Sequence, residues 1–448
     1  MSFLKLGKTH VPHYKNTADM PAVRMTKLPE TVLIPMAQHI GAPANPVVKP
    51  GDSVFVGTLI AEANGPVSAN IHSSVSGTVK KIESYLSSQG RTCPAIRIES
   101  DGLMTPDPEI SVPNITDFAS LSAAARAAGL VGLGGAGFPT AVKLSPSVVD
   151  KLDTLVLNGA ECEPYITSDT RTMLDDCEYI KKGIEIIKST SNITSVFIGI
   201  EKNKTACIEK LTALFAEDSS VTVAVLPDTY PQGAEKILIY NTTARAVPEG
   251  KLPSDVGVLV MNVTSIAFLA KYCETGMPLV EKCITVDGSA VNSPKNIIVP
   301  VGTAIIDVLC DVGVDVEKAG KILYGGPMMG VAVYSVDDPV LKNTNALTVL
   351  NKKDALPKRQ TACIHCGRCA AFCPMGLLPT VFAKAMNVDA AEERAERLNT
   401  AKINLCIECG SCSFVCPAGR PLVETNRLAK ADLREFNQKK KAKEEAKK

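Results

Sequence analysis

The sequence has no tryptophan, only five histidines and almost no net charge, +1 over 448 residues. The missing tryptophan decides nothing, but the even charge balance argues against a nucleic-acid-binding surface spread over the whole molecule. The start, MSFLKLGKTH, lacks the apolar segment that follows the lysines of a secretory signal. Long apolar runs are also missing. The longest, Val256 to Ala270, is broken by Asn262, Thr264 and Ser265 and falls short of a bilayer span. These absences predict a protein that is soluble by itself or sits on a membrane through a partner. Its length allows about three domains with cores of their own.

Cysteine, by contrast, is plentiful: fifteen residues in a chain without an export signal, which points to a reducing compartment. Eight of them form two copies of one pattern, Cys363-x2-Cys366-x2-Cys369-x3-Cys373-Pro374 and Cys406-x2-Cys409-x2-Cys412-x3-Cys416-Pro417. Three thiolates at this spacing wrap one corner of a 4Fe-4S cubane, and the fourth comes from elsewhere because the short loop does not circle the cluster. In two-cluster ferredoxins the fourth cysteine of each run serves the other cluster. On that logic Cys363, Cys366, Cys369 and Cys416 hold one cluster, and Cys406, Cys409, Cys412 and Cys373 hold the second. Structural zinc prefers paired Cys-x2-Cys knuckles and disulfides need an oxidising compartment, so both fit two proline-terminated runs less well. The other seven, Cys93, Cys162, Cys177, Cys207, Cys273, Cys283 and Cys310, read mainly as buried inert thiols.

The pattern along the chain predicts a multi-domain α/β protein. Residues 1–110 alternate short Val-rich runs with Pro, Gly and Ser turns and read as β. Residues 115–268 alternate strands (Thr154 to Leu157, Ser195 to Ile200, Thr222 to Leu226, Gly257 to Met261) with helices (Arg171 to Lys188, Lys204 to Ala216), which predicts a mostly parallel sheet. Residues 270–340 return to short strands as a small β-rich domain. Residues 355–430 carry the cysteine runs, with a helix over Val388 to Asn399 between them, and 431–448 read as a basic flexible tail.

A second chemical signal is the glycine loop from Gly129 to Thr140. Gly132, Gly134 and Gly137 satisfy G-x-G-x-x-G, but the preceding SLSAAARAAG reads as a helix rather than a strand. The ordinary dinucleotide fold is thereby rejected on context. Closely spaced glycines still let backbone N–H groups approach a phosphate or a flat ring.

The segment Val48 to Ile82 resembles a biotinyl/lipoyl-type barrel-sandwich domain, yet no lysine lies between Ala61 and Ile71 to carry a prosthetic group, and His72 reads as a packing residue. GLGGAGFPTAVK (Gly132 to Lys143), NGAECEPYITSDTR (Asn158 to Arg171), YPQGAEKIL (Tyr230 to Leu238) and MNVTS (Met261 to Ser265) resemble the FMN and NADH motifs of the complex I NADH-oxidising flavoprotein subunit. With GKTHVPHYKNT, the barrel segment, YGGPMMG (Tyr324 to Gly330) and the cysteine runs in that order, the chain is closely similar to the RnfC family. Its members are components of the Rnf complexes, ferredoxin:NAD oxidoreductases coupled to ion pumping. The resemblance implies a lipoyl-like barrel-sandwich domain, an α/β FMN and NAD(H) domain, a soluble ligand-binding β-grasp domain and an α-helical ferredoxin-like domain with two 4Fe-4S clusters. It also implies partner subunits in a membrane-bound complex, among them a ferredoxin-like iron–sulfur protein, and a peripheral position on the cytoplasmic side.

Carried over by motif, the resemblance puts Gly132, Gly134, Gly135 and Gly137 beneath FMN and the incoming nicotinamide nucleotide. Lys143 offers a cation to the flavin, Asn158 a hydrogen bond, and Glu161, Glu163 and Glu235 acidic groups around the pocket that Tyr230, Gly233 and Asn262 close. Phe138 stacks or packs under the loop. The chain departs from the complex I pattern at Leu133 (arginine there), Ala160 (aspartate) and Ala234 (one of two adjacent glutamates). A hydride carries two electrons and each cluster accepts one, so a flavin between them splits the pair. Two alternatives share parts of this sequence: a cobalamin-reductase-type flavoprotein of bacterial microcompartments, against which the long leader before the glycine loop counts, and a non-catalytic electron-transfer module.

Overall fold

The computed structural model describes residues 8–445, so the first residue of GKTHVPHYKNT and the last three of the tail lie outside the described residues. The chain forms two compact units. One comprises His13–Pro227 and Glu235–Ala355; the other gathers the described residues up to Pro12, Asp228–Ala234 and everything from Leu356 onward. Among the described residues no helix is long and apolar enough to cross a membrane.

The larger unit contains three sheet systems. The barrel sandwich pairs Thr31–Pro35, Thr92–Ser100, Gly77–Leu86 and Ser53–Val54 in one sheet against Asn45–Pro46, Leu59–Glu62 and Ile71–His72 in the other. Strand periodicity sends Ile96 and Ile98 inward with Val32, Ile34, Ile60 and Val79, while Arg97 between them turns out to pair with Glu83. His72 is buried there and burial pulls its pKa down to about 3, as a packing residue behaves.

The second system is a four-stranded parallel sheet: β1 (Thr154–Asn158), β2 (Ser195–Glu201), β3 (Val221–Leu226) and β4 (Val258–Asn262), in the order β3-β2-β1-β4. The chain steps outward from β1 to β3 and then crosses back to β4 on the other side of β1, so a topological switch point lies between β1 and β4. The interior strand β1 and the edge strand β4 are both apolar and buried up to their closing asparagines, as a sheet covered on both faces requires. The single helix expected over Arg171 to Lys188 is two, Ser168–Asp175 and Cys177–Thr190, because Asp176 leaves the helical region between them (φ −114°, ψ 23°).

The third system is larger than the expected 270–340 segment. Its six strands include Val23–Arg24 and Ala346–Asn351 beside Glu281–Asp287 and Lys295–Pro300. The helix Ile305–Val312 covers it, burying Ile305, Val308, Leu309 and Val312 on one face before Gly313 (φ 79°) ends it.

In the smaller unit the helices Pro379–Ala385, Ala391–Thr400 and Leu422–Glu445 enclose Phe382, Leu398, Ile403, Ala429 and Leu433. The last helix runs on through the stretch from residue 431 that reads as a basic tail in the sequence. Leu433 and Phe436 anchor its middle, and Glu435–Lys439 and Lys441–Glu445 pairs run along its exposed end. The two cysteine runs share one backbone path. His365 and Glu408 occupy equivalent positions with φ of 54° and 57°, and Gly367 and Gly410 follow at 73° and 77°.

Candidate functional site

The glycine loop leaves the helix Phe118–Ala127, which Asp117 and Ser120 close with a capping box, and returns on itself where Val131 bridges Pro139. The Gly132 N–H donates to the Phe138 carbonyl (2.8 Å) and the Gly137 N–H to Gly132 (3.2 Å). Between them Gly134, Gly135 and Ala136 are exposed. Among the described residues none of their N–H groups finds a partner, so three consecutive donors are presented together. Such an array receives a phosphate or the polar edge of a ring.

Groups from distant parts of the chain hold the loop's remaining polar atoms. Leu133 donates its N–H to Ser265 Oγ (3.0 Å) and accepts from the buried ammonium of Lys282 (3.2 Å). Asn343 Nδ2 donates to the Gly135 carbonyl (2.7 Å), and the Ile40 N–H of the barrel donates to Gly137 (3.0 Å). Lys342, fully buried, donates to the carbonyls of Gly129 (2.8 Å) and Asn70 (2.6 Å), which ties the start of the loop to the barrel. Burial lowers the Lys342 pKa to about 7. Gly129 (φ 63°) must be glycine: a Cβ would stand 2.4 Å from the Asn70 carbonyl oxygen.

Beneath the loop lies the switch point. Asn158 and Asn262, the last residues of β1 and β4, are register partners. Asn262 caps the helix Val263–Thr275, accepting from the N–H groups of Thr264 (2.9 Å) and Ser265 (3.2 Å), and donates to Asp169 (2.7 Å). Gly134 passes so close that a Cβ would be 2.9 Å from the Asn262 amide nitrogen. Asp169, which also accepts from Thr264 Oγ1 (2.7 Å), is fully buried; burial and then the nearby Glu161 raise its pKa to about 6, against Lys282. Leu133 replaces the arginine of complex I relatives, and the cation under the loop here is Lys282.

The expected acidic residues divide. Glu161 is a buried cap: it accepts from the N–H groups of Asp169 (2.7 Å) and Thr170 (3.3 Å) and from Thr170 Oγ1 (2.8 Å), all at the start of the helix Ser168–Asp175. Glu163 receives the N–H groups of Met328 (3.1 Å) and Met329 (2.6 Å) from YGGPMMG, and Gly326 lies so near that a Cβ would be 2.3 Å from its carboxylate. Lys15 of the N-terminal motif fixes the same segment, donating to the carbonyls of Glu161 (2.7 Å), Glu163 (2.7 Å) and Ile166 (2.6 Å) while burial lowers its pKa to about 8. Lys143 donates to Glu235 (3.2 Å) and to the Val260 carbonyl of β4 (3.1 Å). Asn158 accepts from the Ala160 N–H (3.1 Å), and Phe138 is half-buried.

Tyr230 and Gly233 belong to the smaller unit instead. The Tyr230 hydroxyl is buried and donates to the carbonyl of Cys409 (2.6 Å), which braces a cysteine run. Seven of the eight cysteines in the runs of that unit have neighbours among the others. Burial raises the Cys369 thiol, with Cys416 and Cys363 adding to the shift. Burial pushes Cys412 up to about 12, with Cys409, Cys406 and Cys373 as neighbours. Cys373, Cys406, Cys409 and Cys412 line one cavity, alongside Phe382, Val423 and Asn426. Among the described residues no three such ligands stand close enough to share a single ion, whereas a cubane holds its thiolates at separate corners.

Residues missed in the sequence are those whose partners are remote. Lys15, Asp169 and Ser265 lay inside quoted motifs without a role, and Lys282, Lys342 and Asn343 carried no local signal at all.

Three family models match: the RnfC barrel sandwich hybrid domain over 5–103, the Nuo51 FMN-binding domain over 125–271 and a 4Fe-4S dicluster domain over 359–420. Over 70% of its length the chain shares its fold with 64% of a chain of an NAD+-reducing NiFe hydrogenase in the H2-reduced state (TM-score 0.51, 18% identity). The chain is 42% identical to the C component of the proton-translocating ferredoxin:NAD(+) oxidoreductase complex of Clostridium ljungdahlii, covering 86% of this chain and 84% of that protein. It is 42% identical to the Na(+)-translocating counterpart of Acetobacterium woodii (84% and 86%) and 37% identical to the C component of the ion-translocating oxidoreductase complex of Rhodobacter capsulatus (97% and 84%). With barrel, flavin-type switch point and paired cysteine runs in the same order as these relatives, the chain belongs to the RnfC family of the Rnf ion-translocating oxidoreductase complexes.

Proposed function

We propose that this chain passes electrons between iron–sulfur clusters and NAD(H) through bound FMN, as a peripheral subunit on the cytoplasmic side of an ion-translocating ferredoxin:NAD oxidoreductase. Bound flavin supplies the conversion between the two electrons of a hydride and the single electrons of clusters. The chain's residues do the rest. The N–H groups of Gly134, Gly135 and Ala136 receive the cofactor's anionic or polar edge, with Asn262 held rigid beneath them by Asp169. Asn158 offers its amide from the neighbouring strand. The Lys143–Glu235 pair supplies a half-exposed cation and anion at the edge of β4. Glu163 orders the YGGPMMG segment as a wall on the nucleotide side. Two 4Fe-4S clusters are held by Cys363, Cys366, Cys369 and Cys416, and by Cys406, Cys409, Cys412 and Cys373.

The observation that carries this reading is the unpaired N–H array over a switch point, in a chain that also gathers Cys373, Cys406, Cys409 and Cys412 around one cavity. Anaerobic purification tests it. The expected outcome is one FMN released by acid, about eight irons per chain and bleaching of the flavin by NADH. A preparation with iron but no flavin would reduce the chain to an electron-transfer module.

A further inference from the structure

Asp169 is a buried carboxylate set one side chain below the glycine loop. Its Oδ2 accepts from the Asn262 amide (2.7 Å) and its Oδ1 from the Thr264 hydroxyl (2.7 Å). The orientation of that amide is fixed. The backbone N–H groups of Thr264 and Ser265 only donate, so the Asn262 oxygen faces them and its nitrogen lies between Asp169 and Gly134. A charge on Asp169 is therefore one amide away from the N–H array of the loop.

The hydroxyls beyond Asp169 serve it in either protonation state. Thr264 Oγ1 is 2.8 Å from Thr172 Oγ1, which in turn reaches the Ser168 carbonyl (3.3 Å). With Asp169 ionised, Thr264 donates to it. With a proton on Oδ1 the chain reverses: Asp169 donates to Thr264, Thr264 to Thr172 and Thr172 to the Ser168 carbonyl, so no donor is stranded. Thr264 is half-buried, which gives the chain a route to solvent. The charged groups that face Asp169 pull in opposite directions. Glu161, from the segment after β1, favours the protonated form, and Lys282, from the strand Glu281–Asp287, the ionised one. Arg171 and Lys271, on the helices packed here, are paired with Asp175 and Asp176. Burial is the largest influence, and with Glu161 it raises the pKa to about 6, so the group is ionised at neutral pH but close to its balance point.

We propose that Asp169 is a proton acceptor for the redox site: it takes one proton from solvent when negative charge arrives at the glycine loop and releases it when that charge leaves. The proposal deepens the flavin reading and rests on it. A hydride brings two electrons and one proton to the flavin and leaves the nicotinamide as its oxidised cation. The loop thereby gains one negative charge, and one solvent proton bound at Asp169 Oδ1 cancels it. When the two electrons have passed on singly, the flavin's proton and this one return to solvent, the latter through Thr264.

The test uses the anaerobically purified holoprotein. The midpoint potential of its flavin is measured against pH, and the slope gives the protons bound per electron pair. Around neutral pH, wild type should bind about one proton more per electron pair than Asp169→Asn. Asparagine mimics the protonated acid and donates to Thr264 through the reversed chain, so this variant should keep its FMN, with a higher potential that varies less with pH. Thr264→Val removes a hydrogen bond to the ionised carboxylate; the pH at which the extra proton appears should rise by about one unit, and Thr264→Ser should restore it. If Asp169→Asn loses FMN, the two Thr264 variants decide. Equal proton counts in flavin-replete wild type and Asp169→Asn, or a Thr264→Val profile superimposable on wild type, would overturn the proposal. A wild-type preparation that releases no FMN in acid faults the flavin reading and this proposal with it, so the two failures are told apart.

Discussion

The glycine loop and the cysteine runs are held by opposite means. The loop's polar groups are met by Ser265, Lys282, Lys342, Asn343 and Ile40, drawn from three sheet systems, so its shape is complete before any ligand arrives. The cysteine runs are shaped mostly from within, by left-handed residues at His365, Glu408 and the glycines after them, and they crowd thiols whose ionisation burial opposes. One site is preorganised by the fold; the other needs its iron to become stable, because metal binding contributes directly to folding.

Substitutions can break this contrast, and the largest effect belongs to the cysteines. Cys412→Ser should remove one cluster outright, cutting iron to about half and destabilising the smaller unit, while FMN content stays unchanged; elemental analysis and a flavin assay check this. Lys282→Met attacks the preorganised side. It leaves the Leu133 carbonyl unpaired and the buried Asp169 without its neighbouring cation, at a cost on the order of 3 kcal/mol. FMN should wash out of this variant while iron is retained. Equal loss of both cofactors would show that the two sites are not held independently.

A smaller effect appears in the pH dependence. Lys342 has its pKa lowered to about 7, so between about pH 7 and 10.5 the unfolded chain holds a proton that the folded one lacks. Stability therefore rises with pH across that window and is lost as pH falls through 7. Lys342→Met should remove this residue's share of the slope, up to about 1.4 kcal/mol per pH unit, as seen in thermal unfolding of the flavin-bearing unit. Least affected should be Tyr230→Phe. Losing the bond to the Cys409 carbonyl costs about 1 kcal/mol and should alter the spectrum of the neighbouring cluster without changing FMN affinity. A drop in flavin affinity instead would show that Tyr230 also takes part in the pocket.

What was legible in the sequence follows the same division. Spacing within a short run is a local property, so the shared backbone path of the cysteine runs was legible in residue order, as was the alternation that places β1 to β4. Motif resemblance drew attention to the glycine loop and Asn262 but not to their supports, since Lys282 and Lys342 reach the loop from positions with no pattern of their own. Glu161 and Tyr230 stand in the quoted motifs but have partners that the motifs do not announce: one caps a helix and the other braces a cysteine carbonyl. The helix running to Glu445 was hidden by its lysine-rich composition, because its anchors, Leu433 and Phe436, precede the charged stretch.

Lys15 has a consequence for how the molecule is built. Its ammonium plugs a knot of carbonyls that emerges from the ribosome some 146 residues later. The amino-terminal segment must therefore wait, undocked, until the parallel sheet starts to form, and it is among the last joints to shut. Bulky fusions at that end would be felt first in the Glu161–Ile166 segment, while the barrel that follows Lys15 in the chain would be spared.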